Sequence, residues 1–334
     1  MEKQNIVVIG GGTGTHTVLS GLKRYPKRLN LTAIVTMADS GGSTGRLRDE
    51  FGFLPVGDVR MALAALARDT ADHEELLRKL FLYRFNKGDG LSGHNFGNLL
   101  LVALTDILGS EEAAIRAAAK VLRVAGHVLP VTNEHIDLVA EYADGTQVIG
   151  EHDIDEPTTF TSNTPIINLS VTPSATITDR AEAALLAADM IVLGPGDLYT
   201  SVLANVVVDG VAAAIKNSGA TVVYVCNLMT KSGQTLGMGV TEHVAEIERY
   251  IGTALDAVLV NTGAFPPELL ARYKADGEFP VKNNFTSDTT NCVTADFLAT
   301  EAVTTAEGDI LKRSLIRHDP RTLAREIVSL LPTK

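Results

Sequence analysis

Apolar, β-branched runs that end directly in glycine, aspartate or asparagine recur along this chain and constrain its fold more than any other feature. Segments with the helical spacing of apolar residues lie between these runs, so the pattern predicts a doubly wound, mostly parallel α/β sheet. Ligands of such sheets bind beyond the carboxyl ends of the strands. We therefore expect a site built from the residues at these ends, which are Gly10, Asp39, Gly194, Asn227 and Asn261.

The chain has 334 residues, which corresponds to about two average domains or to one large α/β domain with an insertion. We predict a single domain over residues 1–334, with the insertion at about residues 130–165. Apolar and polar residues alternate from Ile136 to Tyr142, and Asp144–Gly145 is a typical hairpin turn. The insertion is therefore predicted to be a small antiparallel β-hairpin. After it, the alternation of strands and helices continues with the strand Ile166–Val171.

The composition limits the kinds of binding partner and the cellular location that we expect for this protein. Asp and Glu outnumber Lys and Arg by 40 to 29, a formal net charge of −11, and only 5% of the residues are aromatic. An acidic chain with few aromatic side chains is poorly suited to binding nucleic acid. The apolar runs are too short for a membrane span, and two cysteines do not suggest a disulfide framework. Because the N-terminus also lacks the pattern of a signal peptide, we expect a cytoplasmic protein.

The first strand ends in a glycine loop that opens a helix. Glycines let the backbone approach an anion, and the N–H groups of a helix N-terminus can bind one. The loop departs from the dinucleotide pattern G-x-G-x-x-G, because Thr15 occupies the place of the third glycine. It is either a tight strand–helix turn or a phosphate contact. Our candidate ligand residues in this loop are Gly11, Gly12, Thr13 and Gly14.

The loop after the second strand combines an acid, hydroxyls, glycines and a guanidinium. Dinucleotide folds place a ribose-binding acid at this strand end, and the rest of the loop has the components of an oxyanion nest. The candidate ligand residues are Asp39, Ser40, Gly41, Gly42, Ser43, Thr44 and Arg46. We expect Arg48 to be a solvated charge. Asp58 is either the N-cap of the next helix, with Arg60 as its surface partner, or a ligand that could hold Mg²⁺ against a phosphate.

Two later segments repeat this chemistry. The first opens the mostly apolar helix Asn95–Leu108, which we expect to be buried. Its candidate ligand residues are His94, Asn95 and Asn98. In the second segment a strand ends in a glycine turn and hydroxyl residues start a helix. Its candidates, together with the asparagine that ends a neighbouring strand, are Gly194, Pro195, Gly196, Asp197, Tyr199, Thr200, Ser201 and Asn227.

Five sequence strings carry a resemblance to a known family. They are VVIGGGTGTHTVLSGLK, MADSGGSTGRLRDEFGFLPVGDVRMAL, GHNFGNLLL, LGPGDLYTSVLANVVV and YVCNLMTKSGQTLG. They resemble the YvcK-like gluconeogenesis factor family, which is related to CofD, the 2-phospho-L-lactate transferase of deazaflavin cofactor synthesis. The resemblance extends over nearly the whole chain. It implies a Rossmann-like fold and a cytoplasmic protein needed for cell shape during growth on gluconeogenic carbon sources.

The same resemblance implies a ligand and a partner. Members of the YvcK-like group bind UDP-sugars such as UDP-N-acetylglucosamine and regulate the supply of cell-wall precursors. Tyr273 and Arg317 match the ligand residues of the family by local context. From the residues alone, Tyr273 could equally be a core residue and Arg317 a surface charge. The regulated partner would be an enzyme of amino-sugar or cell-wall precursor synthesis. Whether the chain also forms a homo-oligomer is left open by the sequence.

Three functions remain open from the sequence. We favour a non-catalytic protein that senses a nucleotide-sugar, because several anion-binding loops occur without a recognisable nucleophile or general base. The alternative is a CofD-like, Mg²⁺-dependent transferase with a nucleoside-diphosphate-activated phospholactate donor, although CofD has an acidic pair where this chain has Asp39–Ser40. The third is an NAD(P)-dependent oxidoreductase, against which the incomplete glycine pattern counts. The sequence makes no cofactor certain, and Mg²⁺ is the candidate.

Overall fold

The computed structural model describes residues 2–68, 71–157, 164–300 and 315–332. Its centre is a parallel sheet whose strands are, from one edge to the other, β10 (Asn291–Ala295), β9 (Ala257–Asn261), β8 (Thr221–Val225), β7 (Met190–Leu193), β1 (Gln4–Gly10), β2 (Leu29–Val35) and β3 (His127–Pro130). Every neighbouring pair in this sheet is parallel. The predicted doubly wound α/β fold is confirmed.

The order of the strands reverses between β1 and β7. From β1 the chain continues to β2 and β3 on one side, and later it returns through β7 and continues to β8, β9 and β10 on the other side. A crevice forms at such a reversal. The loop that follows β7 begins beside the end of β1, since the N–H of Gly194 donates to the carbonyl oxygen of Ile9 at 2.9 Å.

Helices flank the sheet. They are α1 (Gly12–Leu22), α2 (Gly42–Phe51), α3 (Gly57–Leu66), α4 (Asp72–Leu82), α5 (Phe96–Leu108), α6 (Glu111–Val121), α7 (Glu151–Asp155), α8 (Asp179–Leu186), α9 (Val211–Asn217), α10 (Val240–Ile251), α11 (Pro267–Ala275) and α12 (Pro320–Ser329). α1 packs against α3 and α12, whereas α9 packs against α8 and α10. Within the described residues, no helix combines the length and the apolarity that a membrane crossing requires.

Two helical segments differ from the expectation. The helix predicted over Asn95–Leu108 is present as α5, but only one of its faces is buried. Leu101 is 1% exposed, whereas Ile107 is 74% exposed. Some apolar side chains of α5 are therefore exposed rather than packed in the core. The segment Leu198–Leu203, where hydroxyl residues were expected to start a helix, is π-helical.

The predicted hairpin is present but belongs to a larger unit. β4 (Asp137–Tyr142) and β5 (Gln147–Ile149) pair antiparallel around the turn at Asp144–Gly145. β6 (Ile166–Thr172) was expected to be the next strand of the parallel sheet. It pairs antiparallel with the other edge of β4 instead. The insertion is thus a three-stranded sheet that also carries α7. Residues 158–163 of the predicted insertion lie outside the described residues, and the single-domain division stays a prediction.

Candidate functional site

A cleft of about 530 Å³ lies at the carboxyl edge of the parallel sheet. The loops after β1, β2, β7 and β8 form much of its wall, and residues of α7, of α11 and of the segment before α12 contribute the rest. Widely separated stretches of the chain therefore reach one place. The sequence-predicted residues that line the cleft are Gly11, Gly12, Thr13, Gly14, Asp39, Gly41, Ser43, Thr44, Asp58, Asn98, Pro195, Gly196, Asp197, Thr200, Ser201, Asn227, Tyr273 and Arg317.

The structure does not bring the other predicted residues to the cleft. They are Ser40, Gly42, Arg46, His94, Asn95, Gly194 and Tyr199. Nη2 of Arg46 donates to the carbonyl oxygen of Ser92 at 3.2 Å. The hydroxyl of the buried Tyr199 donates to Glu246 at 3.0 Å. Both side chains are therefore engaged away from the cleft.

His94 and Asn95 join two helix N-termini beside the cleft. Nδ1 of His94 lies 3.1 Å from Oγ of Ser43, and Nδ2 of Asn98 donates to the same oxygen at 3.3 Å. Oδ1 of Asn95 accepts the N–H of Gly97 at 2.8 Å and caps α5. This network ties the first turn of α2 to that of α5, so His94 and Asn95 hold the wall on which Ser43 and Asn98 lie.

The N-terminus of α1 approaches the loop after β7 very closely. A β-carbon on Gly14 would overlap the carbonyl oxygen of Pro195. Gly12 has φ +58°, a left-handed conformation that favours glycine. A β-carbon on Gly196 would lie only 2.7 Å from Cβ of Ser201. The glycines of the two loops thus allow two backbones to form one continuous wall of the cleft.

Two carboxylates, those of Asp58 and Asp39, accept hydrogen bonds from backbone N–H groups of the two glycine loops. Oδ1 of Asp58 accepts the N–H of Gly12 at 2.7 Å, and Oδ1 of Asp39 accepts the N–H of Gly41 at 3.0 Å. Burial and the neighbouring Asp39 raise the pKa of Asp58 to about 7, and burial also raises the pKa of Asp39. Asp58 does not cap its own helix, whose N-cap is Val56. The pair can therefore take up a proton or a cation near neutral pH.

Helix α7 brings further carboxylates that the sequence analysis did not identify. The carboxylate of Asp155 lies 3.3 Å from Nζ of Lys231 and accepts Nε2 of Gln234 at 3.0 Å. Burial, followed by the charge of Asp155, raises the pKa of Asp197 to about 7. Burial and the charges of nearby aspartates raise the pKa of Glu151. The only sequence signal for this group is the charged run at 151–155 within the insertion.

Basic side chains are placed differently from the expectation. Arg60, which the N-cap interpretation of Asp58 placed on the surface, is only 6% exposed and lines the cleft, where its Nε donates to Oδ1 of Asn98 at 2.8 Å. Arg48, expected to be solvated, pairs with Asp137 at 2.7 Å. Arg272 and Lys231 also line the cleft. Cationic side chains thus face the same space as the two glycine loops.

Tyr273 fixes the chain segment that leads into α12. Its hydroxyl accepts the backbone N–H groups of Leu315 and Ile316 at 2.8 and 3.2 Å. Tyr273 and Ile316 are buried together with Leu228 in a small apolar cluster. The next residue, Arg317, lines the cleft. Tyr273 therefore positions the segment that carries Arg317. Tyr273 is both a buried residue of the apolar cluster and a residue that lines the cleft.

Comparison with known proteins identifies the family. The family model described as 2-phospho-L-lactate transferase CofD matches residues 6–298. The chain belongs to the CofD family. Within this family it is similar to the gluconeogenesis factor of Halalkalibacterium halodurans, with 44% identity over 284 residues that cover 84% of each chain. It is 38% identical to the gluconeogenesis factor of Bacillus subtilis over 99% of both chains.

A solved structure has the same architecture as this CofD-family chain. A UPF0052 family member from Bacillus halodurans superimposes with a TM-score of 0.85 at 37% sequence identity, covering 98% of this chain and 99% of the other. These similarities confirm the predicted membership in the gluconeogenesis factor family.

Proposed function

We propose that this protein is a cytoplasmic regulatory protein that binds a nucleotide-sugar of the UDP-N-acetylglucosamine type in the cleft. One observation carries the proposal: the first turns of α1 and α2 open on the same cleft as Arg60, Lys231, Arg272 and Arg317. Helix N-termini and guanidinium groups are the usual protein contacts of a diphosphate. Their convergence supports a ligand with two linked phosphates.

The size and lining of the cleft support the rest of such a ligand. A volume of about 530 Å³ lies within the usual range for small-molecule pockets. Thr200, Asn227 and Asp197 line one part and can hydrogen-bond the hydroxyls of a sugar. Leu228 and Ile316 line another part and offer an apolar surface.

The acidic residues impose a condition on binding. Asp39 and Asp58 lie beside the helix N-termini, so their charges oppose a phosphate group. A proton or a divalent cation would remove this repulsion. We therefore expect the affinity for a diphosphate to increase with added Mg²⁺ at pH above 7.

Calorimetric titration of the full chain tests the proposal. The ligands are UDP-N-acetylglucosamine, UDP, GDP and NAD, each with Mg²⁺ and with EDTA. The expected result is a micromolar dissociation constant, about −8 kcal/mol, for the UDP-sugar, and no consumption of it on prolonged incubation. Absence of UDP-sugar binding in both conditions contradicts the proposal.

A pair of arginine variants locates the binding. Arg317→Ala should weaken the UDP-sugar by about 10- to 100-fold, because a charge-assisted hydrogen bond contributes about 1.5–3 kcal/mol. Arg46→Ala is the matched control, since Arg46 bonds to Ser92 outside the cleft and its loss should leave the affinity unchanged. Equal affinities of the two variants would place the ligand elsewhere.

The buried acidic pair favours a second candidate, a CofD-like transferase. Oxygen donors suit Mg²⁺, which proteins usually bind through one or two carboxylates together with phosphates of the substrate. Asp39 and Asp58 would hold the ion in this way with the phosphates of a donor substrate. The bound ion would neutralise charge on the transferred phosphoryl group. Formation of a phosphodiester product from a nucleoside-diphosphate-activated phospholactate and a flavin-like alcohol would establish this function instead.

We propose a cellular role as well. Two relatives carry the name gluconeogenesis factor, which supports a role in growth on gluconeogenic carbon sources, and we propose that this chain is required there for normal cell shape. A deletion strain should lose its shape on such a source, and the wild-type gene, but not Arg317→Ala, should restore it. The proposed partner is an enzyme of amino-sugar synthesis. The activity of that enzyme with and without this protein, at saturating UDP-sugar, measures the regulation. Sedimentation velocity shows whether the chain forms a homo-oligomer.

A further inference from the structure

Three hydrogen-bond donors from separate parts of the chain converge on the carboxylate of Asp155. Nζ of Lys231 lies 3.3 Å from this carboxylate. Its Oδ1 also accepts Nε2 of Gln234 at 3.0 Å and Oγ1 of Thr200 at 3.5 Å. An ammonium, an amide N–H and a hydroxyl are donors with which proteins also hold phosphate oxygens. Asp155 therefore occupies a place that suits a phosphate group.

The donors and the carboxylate belong to different units of the fold. Thr200 lies in the π-helical segment after β7, and Lys231 and Gln234 follow β8. Single π-helical turns are frequent at functional sites. Asp155 is the last residue of α7, which belongs to the insertion. The donors are thus part of the carboxyl edge of the parallel sheet, where the rest of the site lies, whereas the insertion supplies the anion.

A ligand in the cleft can reach this place. Lys231, Asp155 and Thr200 line the cleft, and the side chains of Lys231 and Asp155 are partly exposed. Burial lowers the pKa of Lys231, but the charges of Asp197, Asp155 and Glu278 outweigh burial and raise it, so Nζ stays charged. Hydrogen bonds usually measure about 2.7–3.2 Å, and the contacts of Asp155 with Lys231 and Thr200 are longer. The carboxylate is therefore held loosely enough to be exchanged for a phosphate.

We propose that Asp155 is an internal competitor of the ligand: its carboxylate occupies the donors of Lys231, Gln234 and Thr200 until a phosphate group of the ligand displaces it. The inference rests on the proposed function, since it assigns these donors to a phosphate of the nucleotide-sugar. The competition lowers the apparent affinity, because the ligand binds only the fraction of molecules in which the donors are free. It also favours ligands with phosphate groups, because an uncharged sugar or nucleoside cannot displace a carboxylate from an ammonium group.

Asp155→Asn tests the competition, because it keeps the shape of the side chain and removes its charge. Calorimetry in EDTA compares pyrophosphate, UDP-N-acetylglucosamine and uridine. We expect the variant to bind the two phosphate ligands at least about tenfold more tightly than the wild type, since a neutral amide gives up its contact with Lys231 more readily than a carboxylate does. Uridine, which has no phosphate, should gain nothing. Unchanged or weaker binding of both phosphate ligands overturns the proposal.

A cycle with Lys231→Met separates competition from a general repulsion between charges. UDP-N-acetylglucosamine is the ligand, because Arg272 and Arg317 also line the cleft and still face it in this background. If Asp155 competes for Lys231, Asp155→Asn changes the affinity by less than about twofold when it is combined with Lys231→Met. If Asp155 only repels the phosphates through space, the gain is the same with and without Lys231. That second result contradicts the proposal.

Asp153 provides a matched control on the same helix. It is exposed and does not line the cleft. Asp153→Asn removes the same charge from α7 and should leave every affinity unchanged. An equal gain in Asp153→Asn and Asp155→Asn would mean that the net charge of α7, not the contact with Lys231, controls binding.

Two further results keep the outcome decisive. Thermal unfolding shows whether each variant folds, and Asp155→Ser carries the same expectation if Asp155→Asn does not fold. If pyrophosphate binds neither the wild type nor the Asp155 variant, the donors do not form a phosphate site and the proposal is wrong. If pyrophosphate shows the gain but the UDP-sugar binds neither protein, the competition stands and the proposed function fails.

Discussion

The carboxylate of Asp58 accepts a hydrogen bond from the backbone N–H of Gly12 at 2.7 Å, although the two residues are 46 positions apart in the chain. This contact places an acidic side chain at the N-terminus of α1, where a phosphate would otherwise meet the helix. The pKa of about 7 that burial and Asp39 give to Asp58 makes its charge sensitive to neutral pH.

Asp58→Asn should remove a pH dependence of stability. The pKa of Asp58 is about 7 in the folded state and near 3.8 without the fold, so the folded chain holds a proton that the unfolded chain releases between these values. Stability from this group is fully present below about pH 4 and is lost as the pH rises through 7. Denaturant unfolding at pH 8.5 should show Asp58→Asn more stable than wild type by about 1–3 kcal/mol.

The pH profile distinguishes this cause from a general effect of charge. Asp89→Asn is the control, because Asp89 is exposed in a loop. Its unfolding free energy should parallel that of the wild type at every pH. If Asp58→Asn also parallels the wild type from pH 5 to 8.5, the neutral carboxyl beside Gly12 does not exist in solution.

Gly14→Ala should separate two walls of the cleft. The added β-carbon would overlap the carbonyl oxygen of Pro195, and a backbone atom cannot move aside cheaply. We expect a loss of about 1–3 kcal/mol in unfolding free energy and weaker UDP-sugar binding. Gly52→Ala is a useful control because it has no neighbour within 4 Å of the added carbon, although its φ of +66° produces strain of its own. It should reduce stability without changing ligand affinity.

The edge of the sheet that carries the site was predictable because its signals are local. Glycine and aspartate follow apolar runs within a few residues, and parallel strands place their carboxyl ends together. Gly12, Asp39 and Gly196 could therefore be assigned to one site before any contact was known, and all three line the cleft.

The rest of the site depends on packing between distant segments. Glu151 and Asp155 come from an insertion whose sequence has no motif, and they reach the cleft only because the small antiparallel sheet directs α7 there. Conversely, Arg46 and Tyr199 belong to convincing local motifs but bond to Ser92 and Glu246. Side-chain direction within a loop or a helix is decided by tertiary contacts that spacing does not encode.

Lys231→Met should destabilise the cleft by leaving carboxylates without their cation. Nζ of Lys231 lies 3.3 Å from the carboxylate of Asp155, and its charge also lowers the pKa of Asp197. The two side chains are 17% and 21% exposed, so the loss of one partner of this partly buried pair should cost about 1–3 kcal/mol, less than in a fully buried pair. Thermal unfolding at pH 8 should show the loss, and the double variant Lys231→Met/Asp155→Asn should recover part of it. A double variant no better than the single one would mean that Asp155 is not the carboxylate that needs Lys231.

Tyr273→Phe should reduce ligand affinity through a backbone segment rather than through a direct contact. The hydroxyl accepts the N–H groups of Leu315 and Ile316, so its removal releases the residues that precede Arg317. We expect about tenfold weaker binding of UDP-N-acetylglucosamine by calorimetry, with a stability loss of about 1–3 kcal/mol from two unsatisfied donors. Tyr250→Phe is the matched control, because the hydroxyl of Tyr250 accepts the N–H of Leu169 at 2.7 Å and Tyr250 does not line the cleft. That variant should lose stability and keep its affinity; if both variants bind as the wild type does, Tyr273 does not position Arg317 for the ligand.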